Sequence, residues 1–224
     1  MSLMVVGTGT EIGKTITCAV MLARYSSDLR LAYWKPVATG SVEGRDTLEI
    51  KRLCGHQTEI LQESYLFEPP VSPHLAAHLA KEKIRPERII ESFSAHQKED
   101  SRALIVEGIG GLLVPLTSEG YLLADLIQEM DLPCLLVASS GLGTINHTLL
   151  TIEAIQSRNL DLVGVVLNGP ENRENRHAIH QFGQVPIIGQ IEPIHPLSQE
   201  NIARTARGFD RKALLKSHLK RDHD

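Results

Sequence analysis

Short apolar segments alternate with segments of helical spacing along most of the chain. The apolar segments are continuous, which is typical of strands buried on both faces of a parallel sheet. They lie at residues 3–6, 31–34, 103–106, 134–138 and 163–167, with a last short one at 185–188. Helical spacing is found at 14–25, 46–54, 85–97, 122–130 and 145–157, and from residue 199 onward. The alternation predicts a doubly wound α/β fold, in which helices cover both faces of a mostly parallel sheet.

The stretches between these elements are too short to be domain linkers. Residues 37–45 predict a Gly/Ser loop, and the proline-rich residues 66–74 predict irregular structure. No internal repeat or low-complexity tract interrupts the pattern. Because 224 residues are within the range of one α/β domain, we expect a single domain over residues 1–224, ending in a charged tail from about residue 204.

Composition and charge exclude several classes of protein. The formal net charge is −4 and the sequence pI is about 6.2, so no basic surface indicates nucleic acid or anionic lipid as a partner. The apolar runs are too short to span a bilayer, and we expect no secretory signal because no basic region precedes an apolar stretch at the start. Three cysteines, at positions 18, 54 and 134, lack a pairing or zinc-binding pattern and favour a reducing, cytoplasmic location.

The loop after the first predicted strand has the composition of a phosphate-binding loop. It runs Gly7-Thr-Gly-Thr-Glu-Ile-Gly-Lys-Thr15 and opens a helix. Small residues allow consecutive backbone N–H groups to surround an anion, and the helix N-terminus adds partial positive charge. In such a loop Lys14 reaches the β- and γ-phosphates of a nucleotide, and the Thr15 hydroxyl is a ligand of Mg²⁺. The common spacing has glycine where Thr8 stands, and a glycine-rich turn without a ligand is the competing interpretation.

Two carboxylates follow predicted strands and are candidates for the same metal, because Mg²⁺ prefers oxygen ligands. Glu107 ends the apolar segment 103–106, where a charge facing water is the alternative. Asp46 lies beyond the second strand, where a helix N-cap explains it equally well.

A second lysine and a second glycine-rich loop also follow strands. Lys35 comes directly after the second strand, so its ammonium group can enter the same crevice as that of Lys14. Two lysines at one site indicate more negative charge than a triphosphate carries, although a lysine at the rim of a sheet is the alternative. The loop 141–143 opens a helix whose N-terminus suits a carboxylate, unless Thr144 or Asn146 merely caps it.

The histidines give weaker signals. His74 and His78 are four residues apart but lack the glutamate of a zinc-binding His-Glu-x-x-His pattern, so we expect no zinc there. His177 and His180 lie in a polar segment and are expected at the surface.

Five segments, in order, are similar to the motifs of the dethiobiotin synthetase family. They are the loop that ends at Thr15, Lys35-Pro-Val-Ala-Thr-Gly40, Glu68-Pro69 with Ser72-Pro73-His74, Val106-Glu-Gly-Ile-Gly-Gly111 and Gly141-Leu-Gly-Thr-Ile-Asn-His147. The resemblance covers roughly residues 3–195. It implies an enzyme that uses ATP, Mg²⁺ and CO₂ (supplied as bicarbonate) to close a ureido ring on 7,8-diaminononanoate. It also implies a homodimer whose substrate site reaches across the interface.

The resemblance assigns roles to individual residues. Catalytic roles fall on Lys14, Lys35 and Thr10, and metal ligation on Thr15, Asp46 and Glu107. The nucleotide contacts are Gly9, Thr10, Glu11, Ile12, Gly13, Lys14 and Thr15, with Asn168 at the adenine. The contacts to the other substrate are Lys35, Thr39, Gly110, Thr144, Ile145 and Asn146.

The chain departs from the family pattern at three places, and other functions compete. Gly9 stands where the family usually has aspartate, segment 189–194 matches only loosely, and the tail carries no motif. An inactive relative is therefore one alternative. A P-loop switch of the partitioning type is another, but it usually has a second lysine early in the loop, and residues 8–12 contain none. An amidoligase of the same superfamily is a third, against which the second and fifth segments argue.

Overall fold

The computed structural model describes residues 2–41, 45–55, 58–98 and 102–219. Its strands are β1 (Leu3–Gly7), β2 (Leu31–Trp34), β3 (Val37–Thr39), β4 (Glu59–Leu61), β5 (Tyr65–Phe67), β6 (Ala103–Glu107), β7 (Cys134–Ser139), β8 (Leu162–Asn168) and β9 (Ile187–Ile191). Its helices are α1 (Lys14–Tyr25), α2 (Arg45–Cys54), α3 (Pro73–Leu79), α4 (Pro86–Lys98), α5 (Leu123–Glu129), α6 (Thr144–Gln156), α7 (Arg173–Gly183), α8 (Gln199–Gly208) and α9 (Leu214–Leu219).

Within these residues, seven strands form a parallel sheet in the order β4-β2-β6-β1-β7-β8-β9. The chain starts at the central strand β1 and moves first to one side and later to the other. All the strands point the same way, so their carboxyl ends share one edge. Ligands of such sheets bind beyond that edge, where the strand order reverses.

Helices cover both faces of the sheet, and each face has its own apolar core. On one face, α1, α2, α8 and α9 bury residues such as Met21, Ile50 and Ile202. On the other face, α3 to α7 bury residues such as Phe93 and Ile152. The strands contribute to both cores, which explains why their sequences are continuously apolar. The predicted doubly wound α/β class is confirmed.

Several smaller elements differ from the sequence predictions. The predicted loop 37–45 begins with strand β3, and the segment 66–74 contains the end of β5 and the start of α3. The strands β3 and β5 pair only with each other, so neither has the apolar run of a central strand. Helix α7 was not predicted because it buries only Ile179 and Gly183, and β9 is shifted by two residues from its predicted start.

Up to residue 219, the charged tail contains the end of α8 and all of α9, and it is also part of a core. Among its apolar residues, Ala206, Phe209, Leu215 and Leu219 are buried and pack on the face that holds α1. No helix among the described residues is long and apolar enough to cross a membrane.

Replacing Phe209 with alanine is expected to lower the free energy of unfolding by about 3–5 kcal/mol, because its ring is buried. The ring is 3% exposed, and it occupies the space that a Cβ at Gly189 would enter. Phe182, on α7, is 66% exposed, and its replacement with alanine should cost no more than about 0.5 kcal/mol. Denaturant titration of both variants measures the difference, and equal costs would contradict the packing of the tail.

Candidate active site

The phosphate-binding loop connects β1 to α1 at the carboxyl edge of the sheet. Residues 8–13 are neither helix nor strand, and α1 begins at Lys14. Gly13 has φ +91°, a left-handed conformation that glycine adopts at little cost. The side-chain amide of Asn168, at the end of β8, donates a hydrogen bond to the Ile12 carbonyl at 3.1 Å. Asn168 therefore fixes the loop through this hydrogen bond and occupies the space that a side chain at Gly13 would need.

Replacing Gly13 with alanine is expected to weaken nucleotide binding by at least about tenfold, because the new Cβ would displace the loop. An ideal Cβ there would lie 1.4 Å from Nδ2 of Asn168. A Cβ at Gly208, the last residue of α8, would meet only the end of the Arg211 side chain, at 3.9 Å, so Gly208→Ala is the matched control and should leave the affinity unaltered. Calorimetric titration with ADP measures both variants. Equal affinity for the two would show that the loop does not depend on this contact.

Lys14 begins α1 and is held against the backbone. Its ammonium group donates hydrogen bonds to the carbonyl oxygens of Gly9 at 2.8 Å and Gly110 at 2.9 Å. Gly110 follows β6, so this lysine connects the loops after two neighbouring strands. Burial lowers the pKa of Lys14, and the attraction of Glu107 acts in the opposite direction. Its hydrogen-bond partners among the described residues are neutral carbonyl groups, and a charged phosphate binds an ammonium group more strongly than a carbonyl does.

Thr15 and the two predicted metal ligands come together beside this lysine. The Thr15 hydroxyl lies 3.2 Å from Oδ1 of Asp46 and 3.0 Å from Oε1 of Glu107. Asp46 lies in the first turn of α2, and Glu107 is the last residue of β6. The Glu107 side chain is 1% exposed and that of Asp46 is 38% exposed. The structure thus brings together three side chains that are far apart in the sequence.

The ammonium group of Lys35 joins the two carboxylates. It lies 2.8 Å from Oε1 of Glu107 and is hydrogen-bonded to Oδ2 of Asp46. Burial acts against its charge, but attraction by Glu107 and Asp46 prevails and raises the pKa of Lys35 above its usual value. Lys35 does enter the crevice of Lys14, as predicted. Its partners in the structure are the acidic residues of the site.

Sequence reasoning missed a tyrosine beneath this cluster. Tyr33 is fully buried, and its hydroxyl donates a hydrogen bond to Oε2 of Glu107 at 2.9 Å. Burial and the charge of Glu107 raise the pKa of Tyr33, so it remains a protonated donor. Its position in β2, two residues before the lysine that directly follows the strand, was a usable signal, because side chains two residues apart along extended backbone lie on the same face.

Two of the predicted contacts to a second substrate follow strands of the main sheet, and a third lies in the small sheet of β3 and β5. Gly110 follows β6, Thr39 ends β3, and Thr144 begins α6. Thr144 is buried and donates its hydroxyl hydrogen bond to the Ser139 carbonyl, whereas Ile145 is half-buried and Asn146 is exposed. Thr144 therefore binds its own loop in this structure, and Asn146 is the more accessible of these polar groups.

The donor set suits magnesium bound together with a nucleotide. In the described part of the chain, no group of three or more histidine, cysteine, aspartate or glutamate residues could hold a metal ion by itself. Mg²⁺ is usually bound through one or two carboxylates, with phosphates and water as its remaining ligands. Asp46, Glu107 and the Thr15 hydroxyl match this arrangement.

These features define a P-loop nucleotide-binding protein. They are a parallel sheet, a glycine-rich loop that leads into a helix, a lysine and a hydroxyl residue at the start of that helix, and an acid at the end of a neighbouring strand. Two solved structures with this fold are similar to the chain. They are the ParA family ATPase from Chlorobium tepidum TLS (TM-score 0.56, 11% identity, covering 96% of this chain and 92% of that one) and the MinD cell division protein from Aquifex aeolicus (TM-score 0.53, 14% identity, covering 92% and 96%). At such identities the likeness concerns the fold alone.

Comparisons of sequence are more specific. The family model described as an AAA domain matches residues 1–201. The ATP-dependent dethiobiotin synthetase BioD of Paramagnetospirillum magneticum is 39% identical over 199 residues, which cover 89% of this chain and 91% of that protein. The protein of the same name from Lawsonia intracellularis is 40% identical over 191 residues, covering 85% and 87%. The chain belongs to the dethiobiotin synthetase family.

Proposed function

We propose that this protein is an ATP-dependent ligase that forms dethiobiotin from 7,8-diaminononanoate and CO₂, releasing ADP and phosphate. The observation that carries the proposal is the identity of about 40% to two proteins with this name along most of both chains. The cluster of two lysines, a threonine and two carboxylates beside the P-loop supports it.

The reaction needs positioned charge more than it needs a nucleophilic side chain. One amine of the substrate captures CO₂ as a carbamate, whose oxygen receives the γ-phosphoryl group of ATP. The second amine then attacks the mixed anhydride and expels phosphate. Negative charge accumulates on oxygen atoms throughout, so fixed cations at the reacting atoms stabilise the transition states.

We assign the neutralisation of that charge to Lys14 and Lys35, with a hydroxyl group from Thr10. Lys14 neutralises the β- and γ-phosphates, because its ammonium group lies at the start of α1 against the loop. Lys35 contacts the same Glu107 oxygen as Thr15, and it neutralises the carbamate during phosphoryl transfer. The backbone of residues 9–13 surrounds the phosphates, and Thr10 contributes its hydroxyl to the reacting end.

Magnesium is assigned to Thr15, Asp46 and Glu107. When bound, it supplies Lewis-acid stabilisation of charge on the phosphate oxygens. Lys35 already pairs with both carboxylates in the protein alone, so the buried Glu107 does not remain as an unpaired charge before ligands bind. We infer that Lys35 turns from the carboxylates toward the carbamate when the substrates enter.

The substrate carboxylate is assigned to the first turn of α6, at Thr144, Ile145 and Asn146, and the other end of the substrate to Thr39 and Gly110. We propose that a second copy of the chain completes this site. Leu142, in the loop that precedes α6, is fully exposed, and Leu113 and Leu150 are 45% and 56% exposed. The last two line a cleft of about 400 Å³ beside Thr8 and Gly9, which places apolar surface next to the P-loop.

Release of ADP by the purified protein tests the proposal when each reactant is omitted in turn. We expect release to require ATP, Mg²⁺, bicarbonate and 7,8-diaminononanoate together. ATP turnover that is indifferent to the diamine would overturn the proposed function and favour a switch-type ATPase.

A cytoplasmic location also stays a prediction, and the three free cysteines support it.

A further inference from the structure

The two oxygens of the Glu107 carboxylate have different surroundings. Oε1 faces the Thr15 hydroxyl at 3.0 Å and the Lys35 ammonium group at 2.8 Å. Oε2 accepts the hydrogen bond from the Tyr33 hydroxyl at 2.9 Å. Glu107 and Tyr33 are both essentially buried, so water does not compete for this bond. One oxygen is thus directed toward the cation site and the other into the core.

Asp46 differs from Glu107 in this respect. Its Oδ1 faces Thr15 and its Oδ2 faces Lys35, so both of its oxygens are directed toward the cation site. Glu107 is therefore the carboxylate that the surrounding protein limits to one available oxygen. The phenolic hydroxyl of Tyr33 occupies the other oxygen, and the buried thiol of Cys18 also interacts with this carboxylate.

We propose that Tyr33 is a metal-selectivity residue, which holds Glu107 in a one-oxygen binding mode and so favours Mg²⁺ over Ca²⁺. This inference rests on the proposed function, because it assigns a cation to the Asp46 and Glu107 pair. Mg²⁺ demands compact octahedral geometry, whereas Ca²⁺ takes six to eight oxygens and readily accepts both oxygens of one carboxylate. Occupation of Oε2 by Tyr33 removes one of the ligands that the larger ion would use.

The test compares Tyr33→Phe with the wild-type protein in binding a non-hydrolysable ATP analogue. Calorimetric titrations in Mg²⁺ and in Ca²⁺ give the ratio of the two affinities, without any need for turnover. We expect Tyr33→Phe to lower the Mg²⁺/Ca²⁺ preference about tenfold, because a hydrogen bond to a carboxylate is lost and Oε2 becomes available. Most of this change should come from a higher affinity for the analogue in the presence of Ca²⁺.

Tyr25→Phe is the matched control. Tyr25 is also fully buried and donates its hydroxyl hydrogen bond to a carboxylate, that of Asp210. It lies at the far end of α1 from the P-loop, so its loss should alter stability and leave the Mg²⁺/Ca²⁺ ratio unchanged. A similar fall in the ratio in both variants would show that the effect is structural and would overturn the proposal.

Two further outcomes bear on the proposal. If the wild-type protein binds the analogue equally well with either ion, there is no selectivity for Tyr33 to provide and the proposal fails, even if Tyr33→Phe does not fold. If the wild-type protein releases ADP only with diamine and bicarbonate, but Tyr33→Phe keeps the wild-type ratio, the selectivity role alone is wrong. Failure of the proposed function is recognised separately, as ADP release that ignores the diamine.

Discussion

Replacing Lys35 with methionine is expected to reduce turnover by about a thousandfold, because a preorganised cation at developing negative charge is worth that much in related cases. Nucleotide affinity should change by less than about threefold, since Lys14 and the loop provide the phosphate contacts. The exposed Lys51, on α2, provides the control: Lys51→Met should leave both quantities unaltered. Rate measurements and ADP titrations of the two variants make the comparison. Equal losses of rate and affinity in Lys35→Met would make Lys35 a nucleotide-binding residue.

The same substitution removes the partner of a buried carboxylate. Lys35 and Glu107 have side chains only 6% and 1% exposed, so the variant keeps an unpaired charge in the core. We expect the free energy of unfolding to fall by about 3 kcal/mol. Retained ADP binding shows that the variant is folded, which separates the loss of rate from a loss of structure.

Glu107→Gln is expected to lower the maximal rate by about a hundredfold or more and to raise the Mg²⁺ concentration needed for half-maximal activity. An amide oxygen is a weaker ligand for Mg²⁺ than a carboxylate, and the charge that holds Lys35 is also lost. Activity titrated against Mg²⁺ at saturating ATP measures both effects. Glu91→Gln, at an exposed position of α4, is the control for the chemical change. An unaltered rate and Mg²⁺ requirement in Glu107→Gln would contradict its assignment as a metal ligand.

Six of the seven strands of the main sheet in the described residues, and most of the helices, could be predicted because burial on two faces leaves a strong sequence pattern. The exception is the edge strand β4, whose three residues are only half-buried. The segment 103–106 is continuously apolar and emerges as the buried β6 next to the central strand. By contrast, β3 and β5 are three-residue strands outside that sheet. Their pairing depends on contacts between distant segments, which no local pattern records.

The candidate site, too, could be predicted from the sequence only in part. The grouping of Lys14, Thr15 and Glu107 follows from the rule that the carboxyl ends of parallel strands share an edge. From the sequence, Asp46 could equally have been a helix cap. Only the structure shows that its carboxylate contacts Lys35 and Thr15. The pairing of Lys35 with two carboxylates and the hydrogen bond from Tyr33 to Glu107 could not be predicted, because they depend on distances between side chains that the sequence does not give.

The most direct test of the account is the fate of carbon from bicarbonate. The purified protein is supplied with ¹³C-bicarbonate, 7,8-diaminononanoate, ATP and Mg²⁺, and the products are identified by mass spectrometry together with the ADP formed. We predict dethiobiotin that carries one labelled carbon, in equal amount to the ADP. ADP without a labelled product, or a product that lacks the label, would contradict the assignment of this site to carbamate formation and ring closure.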